Sequence, residues 1–279
     1  MSSSILILAI SVVAGCLGSI LGIGGGIILV PALTLGFGIP IHYAVGAGLV
    51  SVITTSSASA AVYIRDRLTN LRLAILLEVA TTSGAIAGVA LSNVLQSRML
   101  FFLFAAILLQ SAVSMFRARK VDDFSRSPPI PNSFADRLKL NNVYFDPAVG
   151  REISYGIRRV PLGALLMAVS GMISALLGIG SGALKVLAMD RIMGVPLKVS
   201  SATSNFMMGV TAAASASAYY FKGDILPEIA APVAIGVLCG SLVGTQLLAR
   251  LPARKIRKMF VLVLIAMAIQ MIFKGLHYE

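Results

Sequence analysis

The chain has 279 residues, 57% of them hydrophobic and only 12% charged, with a mean hydropathy of +0.92. Soluble domains carry about 25% charged residues, so this chain has too little polar surface to fold in water. Its net charge of +12 would suit nucleic acid, but most Lys and Arg lie in turns between apolar runs, where membrane topology puts them, and nucleic acid is excluded as a partner.

In chain order, the first apolar run is 5–21. Val13-Ala14-Gly15-Cys16 could pass for a lipoprotein cleavage box, yet Met1-Ser2-Ser3-Ser4 lacks the basic start of a signal peptide, and the run is read as mature structure. A glycine break follows at Gly22-Ile23-Gly24-Gly25-Gly26, then a short helix over 26–36 and a turn at Gly38-Ile39-Pro40. Three conventional spans come next, at 44–64, 71–91 and 99–117. Residues 118–159 are hydrophilic, contain Pro128-Pro129-Ile130-Pro131, and read as an extramembrane linker with room for a short amphipathic helix.

The pattern then starts again. Gly15–Tyr63 aligns without a gap on Gly171–Tyr219 at an offset of 156 (171 − 15), pairing Gly24/Gly180, Gly26/Gly182, Pro40/Pro196 and Ser59/Ser215. The offset persists through Gly84/Gly240, Gly88/Gly244 and Arg98/Arg254. The second half supplies 160–177, a second break, a short helix at 182–192, and spans at 200–221, 228–249 and 256–273. The expected fold is therefore all-α and polytopic, with a first transmembrane repeat at 1–117, a linker at 118–159 and a second repeat at 160–279.

Charge placement sets the orientation. Residues 117–159 carry nine Lys and Arg, and the turn after the third segment holds Arg65, Arg67 and Arg72. The equivalent turn in the second half holds Lys222, Asp224 and Glu228, and there the basic cluster moves one turn later, to Arg250, Arg254, Lys255, Arg257 and Lys258. Equivalent loops with opposite bias are what inverted repeats would show, with a cytoplasmic linker and both termini outside. Parallel repeats would strand one basic cluster on the wrong side.

The breaks are the most informative chemistry. Each glycine costs about 1 kcal/mol in a helix relative to alanine, and roughly eleven residues after the break are too few to span a bilayer. Each short piece is either a half-helix or one arm of a re-entrant hairpin. Its first amides and positive dipole end favour an anion, so Gly24, Gly25, Gly26, Gly180, Ser181 and Gly182 are candidate substrate contacts; tight packing of small residues is the competing account. Lys185 stands where the first half has Leu29 and would neutralise an anion, unless it reaches the interface or pairs with Asp190. Thr203, Ser204 and Asn205 begin the polar third segment of the second half. Glu78 lies in an apolar span beside Thr81-Thr82-Ser83 and is a candidate coupling group, with pairing to Arg72 as the alternative. Cys16 and Cys239 form no metal or disulfide motif and His42 and His277 are isolated, so no metal, cofactor or catalytic residue is expected.

GxxGxxxGIGGGxxxVPxL from Gly15, followed by Gly38-Ile39-Pro40, and its echo Gly178-Ile179-Gly180-Ser181-Gly182, Gly194-Val195-Pro196 and Ser201-Ala202-Thr203-Ser204-Asn205-Phe206, resemble the sulfite exporter TauE/SafE family of membrane permeases over essentially the whole chain. The resemblance implies a multi-pass permease of the bacterial inner membrane that exports sulfite or an organosulfonate such as sulfoacetate. It places the family's glycine motifs on Gly22, Gly24, Gly25, Gly26, Gly178, Gly180 and Gly182, and its polar motif on Ala202, Thr203, Ser204 and Asn205. The long basic linker and Lys185 depart from that pattern. A passive anion channel, or an uptake permease for thiosulfate or another organic anion, stays open as the alternative. The expected partners are a small anion and lipid, with room for a homodimer.

Overall fold

The computed structural model describes residues 2–21, 24–92, 94–117, 133–146, 151–248 and 253–277. Gly22, the Pro128–Pro131 stretch, Arg119, Lys120, Arg126 and Arg250 lie outside them.

The first repeat contains α1 (Ser2–Leu21), α2 (Gly26–Pro31, carried on by a wider π turn over Ala32–Gly36), α3 (Ile41–Arg65), α4 (Leu71–Ser92) and α5 (Ser97–Arg117). The linker contributes a one-turn helix, α6 (Phe134–Arg137), and two strands, β1 (Asn142–Asp146) and β2 (Arg151–Tyr155). The second repeat contains α7 (Val160–Leu177), α8 (Gly182–Leu187, with a π turn over Ala188–Ile192), α9 (Leu197–Phe221), α10 (Pro227–Leu248) and α11 (Ala253–Leu276). The π turns fall at equivalent places although Pro31 has Leu187 as its mate, so the missing proline N–H does not cause them.

The molecule is apolar outside and hydroxyl-rich inside. Ile75, Val79 and Ile86 of α4 and Leu162, Leu165 and Val169 of α7 are exposed, a pattern that water would penalise and lipid tails accept. Inside, Ser11, Thr55, Thr81 and Ser215 are buried and donate to the carbonyl four residues back, at 2.6–3.0 Å, which satisfies each hydroxyl within its own helix. Four of the described helices, α3, α4, α7 and α10, hold a stretch long and apolar enough to cross a membrane. The protein is a multi-pass membrane protein.

Close backbone approaches fix the helix directions. A Cβ on Gly240 would lie 2.0 Å from the Val12 carbonyl oxygen and one on Gly244 2.5 Å from that of Cys16, so α1 and α10 run parallel. Gly84 against Ala168 and Gly88 against Met172 show the same for α4 and α7. The start of α3 meets the loop after α9, where Gly46 touches Asp224. The start of α9 meets the loop after α3, where the Asn70 N–H donates to Thr203 Oγ1 at 3.1 Å. Hence α3 and α9 are antiparallel, and α1 and α7 enter from opposite faces. The halves are inverted repeats. One face carries both described chain ends, with His42 bonded to Ser97 at 3.2 Å and Lys274 bonded to the Thr34 carbonyl. The opposite face carries the linker.

In the first half Gly18 of α1 meets Gly25 at the break, and in the second half the short helix doubles back along α7. Arg158 N–H donates to the Met193 carbonyl at 2.9 Å, joining the start of α7 to the end of the π turn. Nearer the break, Ser181 Oγ donates to the Ser170 carbonyl at 2.7 Å. These two contacts define an antiparallel helical hairpin.

The linker adds a feature the sequence reading lacked. β1 and β2 form an antiparallel hairpin, Asn142 opposite Tyr155 and Asp146 opposite Arg151. Leu140, Tyr144, Ile153 and Tyr155 pack with Leu73, Met189 and Met193, so the hairpin seals the α4 start and the second helical hairpin. Asn70 is the rivet. Its Nδ2 donates to the Leu140 carbonyl at 2.9 Å and to Tyr155 Oη at 3.0 Å, while its Oδ1 caps α4 by accepting from Leu73 N–H at 3.1 Å. Burial pushes the Tyr155 hydroxyl pKa up to about 12, so it remains a neutral partner at physiological pH. Asn70→Ala removes the cap and strands buried polar groups, at about 1–3 kcal/mol. Faster trypsin cleavage within 133–159, with the membrane core still folded, is the expected outcome; unchanged protection would show that the linker is held elsewhere.

Candidate functional site

The two breaks meet where α3 and α9 cross. A Cβ on Gly26 would lie 2.3 Å from the Gly178 carbonyl oxygen, and one on Gly48 2.6 Å from it, so only glycine allows this approach. Gly24 (φ +86) and Gly180 (φ +72) hold left-handed backbone, which costs an ordinary L-residue roughly 1–2 kcal/mol. Val52 and Met208 are repeat mates (52 + 156 = 208) and flank both of these glycines.

The halves are not copies at this point. Ser181 adopts φ +43, whereas its mate Gly25 is right-handed at φ −68. The Ser181 hydroxyl bonds with Ser170 hold that unusual conformation. In both halves the helical ladder begins late: Leu184 and Lys185 N–H reach the Ser181 carbonyl, and Ile28 and Leu29 N–H reach that of Gly25. The amides of Gly26, Ile27, Gly182 and Ala183 precede that ladder, as first-turn amides do in any helix.

Four of the sequence candidates gather at the second break: Gly180, Ser181, Gly182, and Ser204, whose hydroxyl donates to the Gly182 carbonyl at 3.3 Å. Gly24, Gly25 and Gly26 face them from the first half, and Gly25 lies against the Ser51 hydroxyl. Asn205 is buried there, its Nδ2 bonded to the Ser201 carbonyl at 3.1 Å and its backbone carbonyl accepting from Ser56. Thr203 is turned the other way, toward Asn70, and serves the linker rivet.

Ser51 Oγ, Ser174 Oγ, Glu78 Oε2 and Asn205 Oδ1 are buried without a partner. Such an atom costs about 1–3 kcal/mol if left dry, and Ser59 Oγ and Thr69 Oγ1 are in the same position.

Lys185 is fully buried and donates to Thr211 Oγ1 at 2.8 Å. The Thr211 hydroxyl lies 2.7 Å from Glu78 Oε1 and 2.8 Å from the Met207 carbonyl, either of which can take its proton, and Thr82 donates to Glu78 Oε1 at 3.1 Å. Thus α8, α9 and α4 are tied by a Lys–Thr–Glu chain. The alternative partners expected from sequence, Asp190 for Lys185 and Arg72 for Glu78, are replaced by this link; Arg72 reaches out to the Lys139 carbonyl at 3.3 Å. Thr211 was masked in the sequence by the run of small hydroxyl residues around it. The repeat mates of the three are Leu29 and Thr55 in the first half and Ala234 in the second, so the charged chain exists once.

Cys16 is half-buried and Cys239 is exposed on the outer side of α10.

The comparisons with known proteins agree with this architecture. The family model described as "Sulfite exporter TauE/SafE" matches residues 7–271. The probable membrane transporter protein YunE of Bacillus subtilis (strain 168) is 23% identical over 281 residues, covering 98% of this chain and 99% of its own. The probable membrane transporter protein YdhB of the same organism is 22% identical over 241 residues, covering 86% and 89%. No solved structure gives a significant match. Inverted helical halves, glycine breaks meeting at their centre and a match over nearly the whole length converge on one assignment: the chain is a membrane transporter, not an enzyme, and belongs to the sulfite exporter TauE/SafE family.

Proposed function

We propose that the protein exports a small sulfur-containing anion, sulfite or an organosulfonate such as sulfoacetate, across the bacterial inner membrane by alternating access. The linker faces the cytoplasm and the chain ends face the periplasm, an orientation supported by Arg65, Arg67, Arg72 and the basic linker sharing one face. The two helical hairpins are re-entrant, and their first-turn amides at Gly26 and Gly182, with the Ser204 and Asn205 side chains, hold the anion beside Lys185. The domain partition 1–117, 118–159 and 160–279 follows the same plan, with the repeats as the two moving bodies.

The observation that carries this reading is the meeting of the two breaks between inverted halves. Inverted repeats supply two related conformations open to opposite sides, and packed Val52 and Met208 separate them in the closed form. That packing favours a carrier over a passive pore. Proteoliposomes loaded with sulfite, sulfoacetate, thiosulfate or chloride provide the test. Saturable efflux of a sulfur anion, accelerated by the same anion outside and far slower for chloride, is expected. Flux that grows linearly with concentration and ignores external anion would indicate a channel. Flux of none of these anions would remove the substrate assignment.

A further inference from the structure

We propose that Glu78, Thr211 and Lys185 couple each monoanion carried to one proton, making transport electroneutral. The inference rests on the proposed function in one respect, that the carried anion pairs with Lys185.

The argument starts from charge. Lys185 is fully buried and Glu78 is 8% exposed, and a net charge in such a place is costly. Linked through one hydroxyl, the two side chains sum to zero. Lysine donates to Thr211, whose single proton has two acceptors, Glu78 Oε1 at 2.7 Å and the Met207 carbonyl at 2.8 Å. A monoanion arriving at Lys185 would bring the sum to −1. The cheapest correction is a proton on Glu78, and the structure offers it a seat, because Oε1 accepts from both Thr211 and Thr82 while Oε2 is buried with no partner. The proton comes from water on the open side and leaves with the anion on the other. Lys185 keeps its charge throughout.

No competing group takes this role. Of the elements packed on α4, α7 contains no titratable residue. α9 contributes Lys198 at its start and Tyr219 and Tyr220 at its end, and the α8 hairpin contributes Asp190 and Arg191 besides Lys185. Among the described residues, hydrogen bonds link Lys185 to Glu78 through Thr211.

The equivalent set related by the repeat offset, Leu29 and Thr55 of the first half with Ala234 of the second, carries neither charge. One coupling unit therefore serves one central site, and the ratio is set at one proton per monoanion.

The test uses the full-length protein in vesicles with methanesulfonate, whose acid form is negligible at accessible pH, and a trapped pH dye. Wild type is expected to acidify the lumen by about one proton per methanesulfonate taken up, at a rate indifferent to a potassium–valinomycin clamp. Glu78→Gln moves the anion more slowly, carries near zero protons per anion, and becomes sensitive to the clamp. In detergent, wild-type affinity for methanesulfonate tightens up to about tenfold per pH unit of acidification, as single-proton linkage requires, and the slope is lost in Glu78→Gln. Wild-type uptake with charge movement and no acidification overturns the coupling while leaving anion transport intact. An affinity independent of pH in wild type overturns it too, even if the variant fails to fold. Flux of neither methanesulfonate nor the sulfur anions overturns both readings together.

Discussion

Lys185→Met is expected to lower anion affinity by at least a hundredfold, with the protein still inserted. Lysine supplies the one positive charge in the Lys–Thr–Glu chain, and a charge-assisted hydrogen bond contributes about 1.5–3 kcal/mol, or roughly ten- to more than a hundredfold; the larger figure applies where water is excluded. The substitution also leaves Glu78 without its counter-charge, and breaking a buried pair costs about 3–5 kcal/mol when one partner stays charged. A fall in thermal stability is therefore expected alongside the loss of binding. The double variant Lys185→Met/Glu78→Gln separates the two effects. It leaves no charge behind, so stability returns toward wild type while binding stays lost. Wild-type affinity in either purified variant would remove Lys185 from the site.

Gly171→Ala carries the largest expected structural effect. Its Cβ would lie 1.9 Å from the Thr81 carbonyl oxygen, and neither backbone can move without separating α7 from α4. Overpacking of this kind costs about 1–3 kcal/mol and sometimes more. Because α4 carries Glu78 and α7 anchors the second helical hairpin through Ser170, the damage reaches the site as well. A lowered unfolding temperature with loss of transport is the expected pair of results. Gly36→Ala is the control, since a Cβ there meets nothing within 4 Å. Equal behaviour of the two variants would show that the α4–α7 contact does not need its glycine.

Much of this architecture was legible because membrane helices announce themselves by length and composition. The expected short helices at 26–36 and 182–192 coincide with the α2 and α8 stretches and their π turns. The inversion followed from where Arg65, Arg67 and Arg72 lie relative to Lys222, Asp224 and Glu228. Two things were not legible. The linker hairpin has only five-residue strands, and its buried face emerges only when Leu140, Ile153 and Tyr155 meet Leu73 and Met189. The pairing of Lys185 with Glu78 joins residues more than a hundred positions apart, through a threonine that resembles its neighbours. Nearer charges, Asp190 and Arg72, drew the sequence reading away. Thr203 shows the same limit in reverse: its place in a polar motif pointed to the anion, whereas its hydroxyl is spent on Asn70.

The Asn70 rivet has an energetic corollary. Two identical inverted halves would exchange roles at no net cost, so inward- and outward-facing shapes would be equally populated. Here a β-hairpin is fastened across one helical pair and its twin has no such cover among the described residues, so the exchange is not isoenergetic. Each kilocalorie held by that fastening skews the resting population about fivefold toward whichever shape keeps it intact. In the proposed carrier, duplication would supply two shapes and the linker would bias which of them waits for cargo.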